Sequence, residues 1–309
     1  MKWRTEVKIE EKKGFVKYDH KILSLGSCFA DEIGERMKNA GFDIIVNPFG
    51  VIFNPVSILQ LVQNSLDDNS REDFIVERNE LWYHYGYHSK IYGESTKNLL
   101  NKVESLNERT RKRLMSADHL FLTLGTAWVW RLVEDDRVVA NCHKMPAATF
   151  SKDRIGLKRL DEFSAPLFEK LFQLNPKLNI TLTVSPVRHV KDGIHENNLS
   201  KSVLHLYCDY LMNKFENISY FPAFELVVDE LRDYRFYKGD LIHPSEQAID
   251  FVMDKFKSAY FDNNTLARYG LAEQLKKAEA HKPMNPSKED AAKHNEHINS
   301  LKSKLDKIT

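Results

Sequence analysis

The sequence has few cysteines and no long apolar run, and both absences narrow the class of protein. Cys28, Cys142 and Cys208 are an odd and sparse set, which is typical of a reducing compartment. No apolar run approaches the roughly 18 residues that a membrane span needs. Residues 1–6 lack the apolar stretch of a signal peptide. We therefore expect a cytoplasmic protein with no membrane partner.

An excess of charge of one sign is also missing. The chain has 45 basic and 44 acidic residues, a net charge of +1. Such a balance gives no polyanion-binding surface and disfavours nucleic acid as the main partner. No internal repeat stands out. The chain does have 42% hydrophobic residues in a length of 309, enough for one large α/β domain or two smaller ones.

The segment 22–40 predicts a buried strand, a turn and a helix. Gly26 turns the chain after the strand, and Ser27 and Cys28 begin the helix. A nucleophile there lies above the carboxyl edge of the strand. The free N–H groups and partial positive charge of the helix start favour a thiolate, an alkoxide or an oxyanion. The alternative is that Ser27 serves only as the N-cap of an inert turn.

Further strands and helices alternate along the chain, which predicts an α/β fold with a mostly parallel sheet. The predicted strands that follow the first are 42–46, 120–124, 179–184 and a short one at 220–221. Two apolar runs within 128–140 predict a small hairpin insertion. After the fourth strand, Arg188 and His189 lie where they can bind an anionic substrate group, or alternatively cap the loop.

Histidines in an aromatic-rich segment raise the question of a metal. His84 and His88 lie among tyrosines, and Cys142 precedes His143. No carboxylate or cysteine completes a ligand set at a recognisable spacing, so we expect neither a metal nor a cofactor. A metal enzyme that uses these four residues is kept as a third hypothesis.

A second candidate for chemistry lies far from the first. Asp240 precedes His243 by three residues, in a loop before a predicted helix. Asp240 can bend back to the imidazole Nδ1–H of His243 and leave Nε2 for a nucleophile.

The C-terminal part of the chain is rich in Lys, Glu and Ala, which predicts a main domain at 1–262 and a helical extension at 263–309. This extension packs on the body or forms a homo-oligomer contact.

Taken together, the early turn at Gly26 and the late Asp240–His243 pair resemble the GSCFA family, a branch of the SGNH (GDSL-like) hydrolase superfamily. The resemblance covers about residues 20–260. It rests on Gly26-Ser27-Cys28-Phe29-Ala30, the Asn-Pro-Phe-Gly loop, the Leu-Gly-Thr-Ala-Trp turn, Ser-Pro-Val-Arg-His and the Asp-x-x-His block. It implies a three-layer α/β/α flavodoxin-like fold and esterase or acyltransferase activity.

The superfamily motifs transfer to this chain with two departures. Aligned on Gly26, the superfamily's nucleophilic Ser falls on Cys28 and its Asp on Ser27, so either residue remains the candidate nucleophile. Gly50 corresponds to the glycine that donates to the oxyanion. The Gly-x-Asn block resembles Gly125-Thr126-Ala127, with Ala in place of Asn. Asn47 and Asn54 are candidates to replace that asparagine.

The leading hypothesis is an acyl-ester hydrolase or acyltransferase that forms a covalent acyl-enzyme. Cys28 or Ser27 attacks, His243 acts as base and then acid, and Asp240 orients it. The turn at Gly26 and Gly50 hold the oxyanion, and O-acylated carbohydrate is a substrate class by superfamily analogy. The alternative is a noncatalytic ligand-binding module that has lost a complete oxyanion hole.

Overall fold

A computed structural model describes residues 4–281 and 287–308. Within these ranges the chain forms eleven strands: β1 (Ile22–Gly26), β2 (Ile44–Val46), β3 (Ile75–Arg78), β4 (Leu81–His84), β5 (Tyr92–Gly93), β6 (His119–Leu124), β7 (Trp128–Leu132), β8 (Val138–Val139), β9 (Phe150–Arg154), β10 (Asn179–Val184) and β11 (Ile218–Tyr220).

Nine α-helices lie in the same described ranges. They are α1 (Cys28–Asn39), α2 (Pro55–Asp67), α3 (Thr96–Ser116), α4 (Leu157–Leu174), α5 (Ile194–Lys214), the short α6 (Ala223–Glu225), α7 (Glu246–Tyr260), α8 (Asn263–Ala280) and α9 (Lys288–Lys307). A π-helical turn, Leu226–Leu231, continues α6. None of the described helices has the length and apolar character that crossing a membrane requires.

The central sheet has five strands in the order β11-β10-β6-β1-β2, and its neighbours pair in parallel. Every residue of β1 and of β6 is buried. Such burial on both faces explains why these strands appear in the sequence as near-continuous apolar runs. The prediction of an α/β protein with a mostly parallel sheet is confirmed.

Helices cover both faces of this sheet, because successive strand residues face opposite sides. Leu23 and Leu120 join the core on the side of α2, α3, α4 and α5. Ile22 and Phe121 join the core on the side of α1, α7 and α8. The carboxyl ends of the strands are therefore the accessible edge, where loops meet.

Two antiparallel sheets of three strands flank the central one. One has the order β3-β4-β5 and the other β8-β7-β9. The predicted hairpin at 128–140 forms as β7 and β8, and β9 joins it through pairs such as Trp128 with Arg154. The sequence analysis missed β9 because Phe150–Arg154 is mostly polar and has no alternating apolar pattern.

The first and last described segments of the chain pack on the α1 side of the sheet. Val7 N–H donates to the buried Glu230 carboxylate at 2.8 Å, and Lys255 Nζ lies 3.2 Å from it. The predicted C-terminal extension is helical as α8 and α9, and Tyr269 of α8 is buried in the core. Residues 1–3 of the predicted main domain, and residues 282–286 and 309 of the predicted extension, lie outside the described residues.

Candidate active site

Loops after β1, β2, β6 and β10 meet the loop before α7 around a cavity of about 270 Å³. It brings together six of the predicted site residues, Ser27, Cys28, Gly125, Arg188, His189 and His243. The sequence analysis had not singled out the other four lining residues, Phe53, Ser185, Val187 and Ile242. Residues separated by more than 200 positions in the chain thus share one cavity.

Asp240 orients His243 as the spacing predicts. The imidazole Nδ1 of His243 lies 2.7 Å from Asp240 Oδ2. Asp240 Oδ1 accepts the N–H groups of His243 at 3.0 Å and Ile242 at 2.9 Å. These two N–H groups, followed by the imidazole, hold the pKa of Asp240 well below its ordinary value. The carboxylate therefore stays ionised. Nδ1 of His243 faces it, so Nε2 is the ring nitrogen that can exchange a proton with another group.

Ser27 and Cys28 differ in their accessibility. Ser27 is 1% exposed and is the N-cap of α1, with its Oγ accepting the Phe29 N–H at 3.3 Å. Cys28, the first residue of α1, is only half-buried. Both residues line the cavity, but the hydroxyl already has a structural role.

The Cys28 thiol is protonated at rest. Burial, and then the Asp31 carboxylate, raise its pKa above the ordinary value. The N–H groups of Cys28 and Phe29 at the start of α1 act in the opposite direction, as the sequence analysis expected, but they are outweighed. Cys28 therefore needs a base to lose its proton. In the described part of the chain no hydrogen bond joins His243 to Cys28 or Ser27, although all three face one cavity.

Asn47 holds the β1 turn in place. Its side-chain Oδ1 accepts the Gly26 N–H at 2.8 Å, and its Nδ2 donates to Asp31 Oδ1 at 2.6 Å. Gly26 has a φ of 140°, and a Cβ at this position would lie 2.2 Å from Thr123 O. Only glycine fits this close approach of β1 to β6. Both polar groups of the Asn47 amide are thus used to shape the turn beneath Ser27 and Cys28.

Gly50 and Asn54, the other candidates from the loop after β2, also have structural partners. Gly50 N–H donates to Asn47 O at 2.8 Å. Asn54 is the N-cap of α2, and its Oδ1 accepts the Ser57 N–H at 2.8 Å. Asn47, Gly50 and Asn54 are absent from the lining of the cavity. The residue of this loop that reaches the cavity is Phe53.

The turn after β6 is docked onto Phe53. Its two N–H groups, from Gly125 and Thr126, donate to Phe53 O at 2.7 and 3.1 Å. The Thr126 hydroxyl lies 3.0 Å from Ser200 Oγ, which also accepts the Ala127 N–H. The backbone donors of this turn are therefore engaged within the protein.

A buried lysine, Lys201, supports the site from below, and the sequence analysis missed it. Its Nζ donates to Gly125 O and to Ser185 O, both at 2.6 Å. Burial lowers the pKa of Lys201 to about 7, while Cys28 acts in the opposite direction. The signal was present in the helical periodicity, because Lys201 lies three and seven residues before the buried Leu204 and Cys208.

Arg188 and His189 lie at the cavity as the sequence analysis expected. The Arg188 guanidinium lies over the rings of Tyr234 and Tyr237, at 4.9 and 4.4 Å from their centroids. The backbone N–H of His189 donates to Asn197 Oδ1 at 2.9 Å. Burial, and then Lys152, lower the pKa of His189, so its ring is neutral near neutral pH.

The histidines of the metal hypothesis have structural partners. His84 Nε2 lies 2.9 Å from Ser70 O, and His143 Nε2 lies 2.9 Å from His84 O. Burial lowers the pKa of both rings to about 4. Among the residues that the structure describes, no group of three or more His, Cys, Asp or Glu side chains is arranged to hold a metal ion.

Comparison with known families adds to this geometry. The GSCFA family model matches residues 21–256, which include all four of Ser27, Cys28, Asp240 and His243. Because the match covers most of the sequence, the chain belongs to the GSCFA family. No curated protein matches it.

Proposed function

We propose that the chain is an acyl-ester hydrolase or acyltransferase that works through a covalent acyl-enzyme. The observation that carries the proposal is the 2.7 Å contact of Asp240 with His243 beside a cavity that Cys28 also lines. A carboxylate, an imidazole and a nucleophile in this arrangement are the parts that acyl transfer needs. O-acylated carbohydrate is a substrate class by superfamily analogy.

The sheet order supports an SGNH-like, flavodoxin-like architecture. When its five strands are numbered along the chain alone, the order is 2-1-3-4-5. This is the order of flavodoxin-like sheets, whose ligands bind at the switch point between the first and third strands. The turns after β1 and β6, which carry Cys28 and Gly125, lie at that point.

Cys28 is the nucleophile that the accessibility favours. It is half-buried on the cavity, whereas the hydroxyl of Ser27 is buried and caps α1. Since the pKa of the Cys28 thiol is raised, attack requires a general base rather than a preformed thiolate. His243, with Nδ1 facing Asp240, supplies that base through Nε2.

The reaction then proceeds in two stages, acylation of Cys28 and transfer of the acyl group from Cys28. His243 Nε2 takes the thiol proton as the Cys28 Sγ–carbon bond forms, and it returns the proton to the alcohol oxygen as the ester C–O bond breaks. A thioester remains on Cys28. Water, or an acceptor alcohol, loses a proton to His243 and attacks the thioester, and the Cys28 sulfur leaves and recovers the proton. Asp240 stabilises the imidazolium at each transfer.

The oxyanion is stabilised by the start of α1. The N–H groups of Cys28 and Phe29 already lower the pKa of the thiol, so they lie close to the site of developing charge. Helix N-termini favour anions through free donors and the helix dipole. The Phe29 N–H also donates to Ser27 Oγ at 3.3 Å, so the Cys28 N–H is the main donor. It replaces the Gly50 N–H, which donates within its own loop, and the Gly125 N–H, which donates to Phe53 O.

A noncatalytic ligand-binding module is the second candidate. The engagement of the Gly50, Gly125 and Thr126 N–H groups favours it, because an incomplete oxyanion hole removes about 3–4 kcal/mol of transition-state stabilisation for each missing donor. A binding module would keep the cavity and lack turnover.

Hydrolysis of p-nitrophenyl acetate distinguishes the two candidates. We expect wild type to form a thioester on Cys28, seen by mass spectrometry after acid quench, and both Cys28→Ala and His243→Ala to lose turnover. Cys142→Ala is the matched control, since Cys142 is also a half-buried free thiol but lies outside the cavity lining. Equal rates above background in wild type, Cys28→Ala, Ser27→Ala and His243→Ala would refute the catalytic proposal.

A further inference from the structure

Arg188 lines the cavity without a carboxylate partner. Within the described residues no carboxylate lies within ion-pair distance of its guanidinium, although it is half-buried. Five other half-buried or buried arginines form an ion pair with a carboxylate, namely Arg36, Arg113, Arg131, Arg137 and Arg154. Among the described residues the half-buried Arg71, Arg78, Arg111 and Arg268 form none, like Arg188. Of these arginines without a carboxylate partner, Arg188 is the one that lines the cavity.

The position of this guanidinium is fixed by its neighbours. Its Cζ lies over the rings of Tyr234 and Tyr237, and the backbone N–H of Arg188 donates to Ile242 O at 3.3 Å. Burial acts to lower the pKa of Arg188, but the two tyrosines raise it above the ordinary value, so the group is cationic. A guanidinium has five N–H donors in a fork that matches a planar oxyanion, and here two aromatic rings hold it with no carboxylate of the described residues.

The carboxylates near the cavity have polar partners other than Arg188, and Asp31, near Cys28, accepts from Asn47 Nδ2 at 2.6 Å. Asp240 is taken by His243, and Asp192 forms an ion pair with Lys152. Glu32, near Cys28, lies 3.1 Å from Lys238 Nζ. An incoming anion therefore meets the guanidinium of Arg188 with none of these carboxylates bound to it.

We propose that Arg188 forms an anion-binding subsite that selects esters carrying a carboxylate or similar oxyanion near the reacting carbonyl. The selection of esters rests on the proposed function, whereas the binding of an anion rests on the contacts of Arg188. Bidentate hydrogen bonds from the guanidinium hold the anion and place the ester carbonyl beside Cys28.

Alkylation of Cys28 tests the subsite without any ester. Iodoacetate and iodoacetamide form the same Sγ–carbon bond and release iodide, but only iodoacetate carries a carboxylate. The ratio of their rates is measured by mass spectrometry at about pH 8.5, a mildly alkaline pH that increases the thiolate fraction. Cys142 on the same molecule is the internal reference, because it is outside the cavity lining.

We expect the iodoacetate preference at Cys28, relative to Cys142, to fall roughly tenfold in Arg188→Met and to weaken in wild type as salt rises. Arg235→Met is the control. Arg235 lies between Tyr234 and Tyr237 in the chain, forms an ion pair with Asp233, and is outside the cavity lining. A ratio that is equal in wild type and Arg188→Met, or that is insensitive to salt in wild type, overturns the proposal.

A pair of esters then separates this inference from the proposed function. The ratio of kcat/KM for mono-p-nitrophenyl succinate over p-nitrophenyl acetate should fall about tenfold in Arg188→Met. Absence of ester turnover with the alkylation preference intact would refute the enzyme proposal and keep the anion subsite. Turnover of both esters with the same ratio in wild type and Arg188→Met would refute the subsite and keep the enzyme.

Discussion

Lys201 should make the stability of the protein rise with pH across the neutral range. Its pKa is about 7 in the folded chain, against an ordinary value of 10.5, because burial disfavours the ammonium form. Between these values the unfolded chain holds a proton that the folded chain has released, so raising the pH favours the folded state. The gain is complete above 10.5 and is lost as the pH falls through about 7.

The size of this effect follows from the same two values. At about 1.36 kcal/mol for each pKa unit, the step from 10.5 to about 7 is worth about 5 kcal/mol over the whole interval. Between about pH 6 and pH 8.5 the folded state should gain about 2 kcal/mol. Comparison with a variant at the same residue cancels the contribution of every other titrating group.

Urea unfolding at a series of pH values provides the assay. Lys201→Met removes the charge, so the pH-dependent gain should vanish, and Lys201→Arg keeps a permanent charge, so it should also lose the gain while being destabilised at every pH. The wild-type lysine can be followed directly by the NMR shift of its ε-carbon. Parallel stability profiles for wild type and Lys201→Met, or an NMR midpoint near the ordinary 10.5, would refute the reasoning.

Two further predictions follow from the turns around the cavity. Asp240→Asn keeps an oxygen acceptor for the N–H groups of Ile242 and His243 but removes the negative charge. We therefore expect kcat for an activated ester to fall about a hundredfold with little change in KM. An unchanged kcat would exclude an orienting role for Asp240. Gly26→Ala places a Cβ 2.2 Å from Thr123 O, so it should lower the free energy of unfolding by about 3 kcal/mol, measured in urea against Gly156→Ala, where a Cβ meets open space.

The order of the elements in the main sheet is largely present in the sequence. Buried parallel strands leave continuous apolar runs, so β6 and β10 were predicted within one residue of their observed bounds. Asp240 and His243 were paired correctly because their contact is local, three residues apart, and the turn at Leu241 has a φ of 59° that closes it.

What the sequence could not reveal depends on contacts between distant segments. Nothing local to Gly125 indicates that its N–H will donate to Phe53 O, because the partner lies 72 positions earlier in another loop. Lys201 has the composition of a solvated helix face, and its burial depends on where α5 packs beneath the turns after β6 and β10. β9 was missed since its pairing with β7, not its own pattern, makes it a strand.

The carbonyl oxygen of Phe53 couples the conformations of two loops that are remote in sequence. Because one oxygen atom accepts from both Gly125 and Thr126, any change that shifts the backbone at Phe53 is transmitted to the far wall of the cavity. Efforts to reshape the cavity by exchanging loops with relatives should therefore move the segments 47–54 and 125–127 as a matched pair. Grafting one without the other would leave two amide groups facing the wrong acceptor.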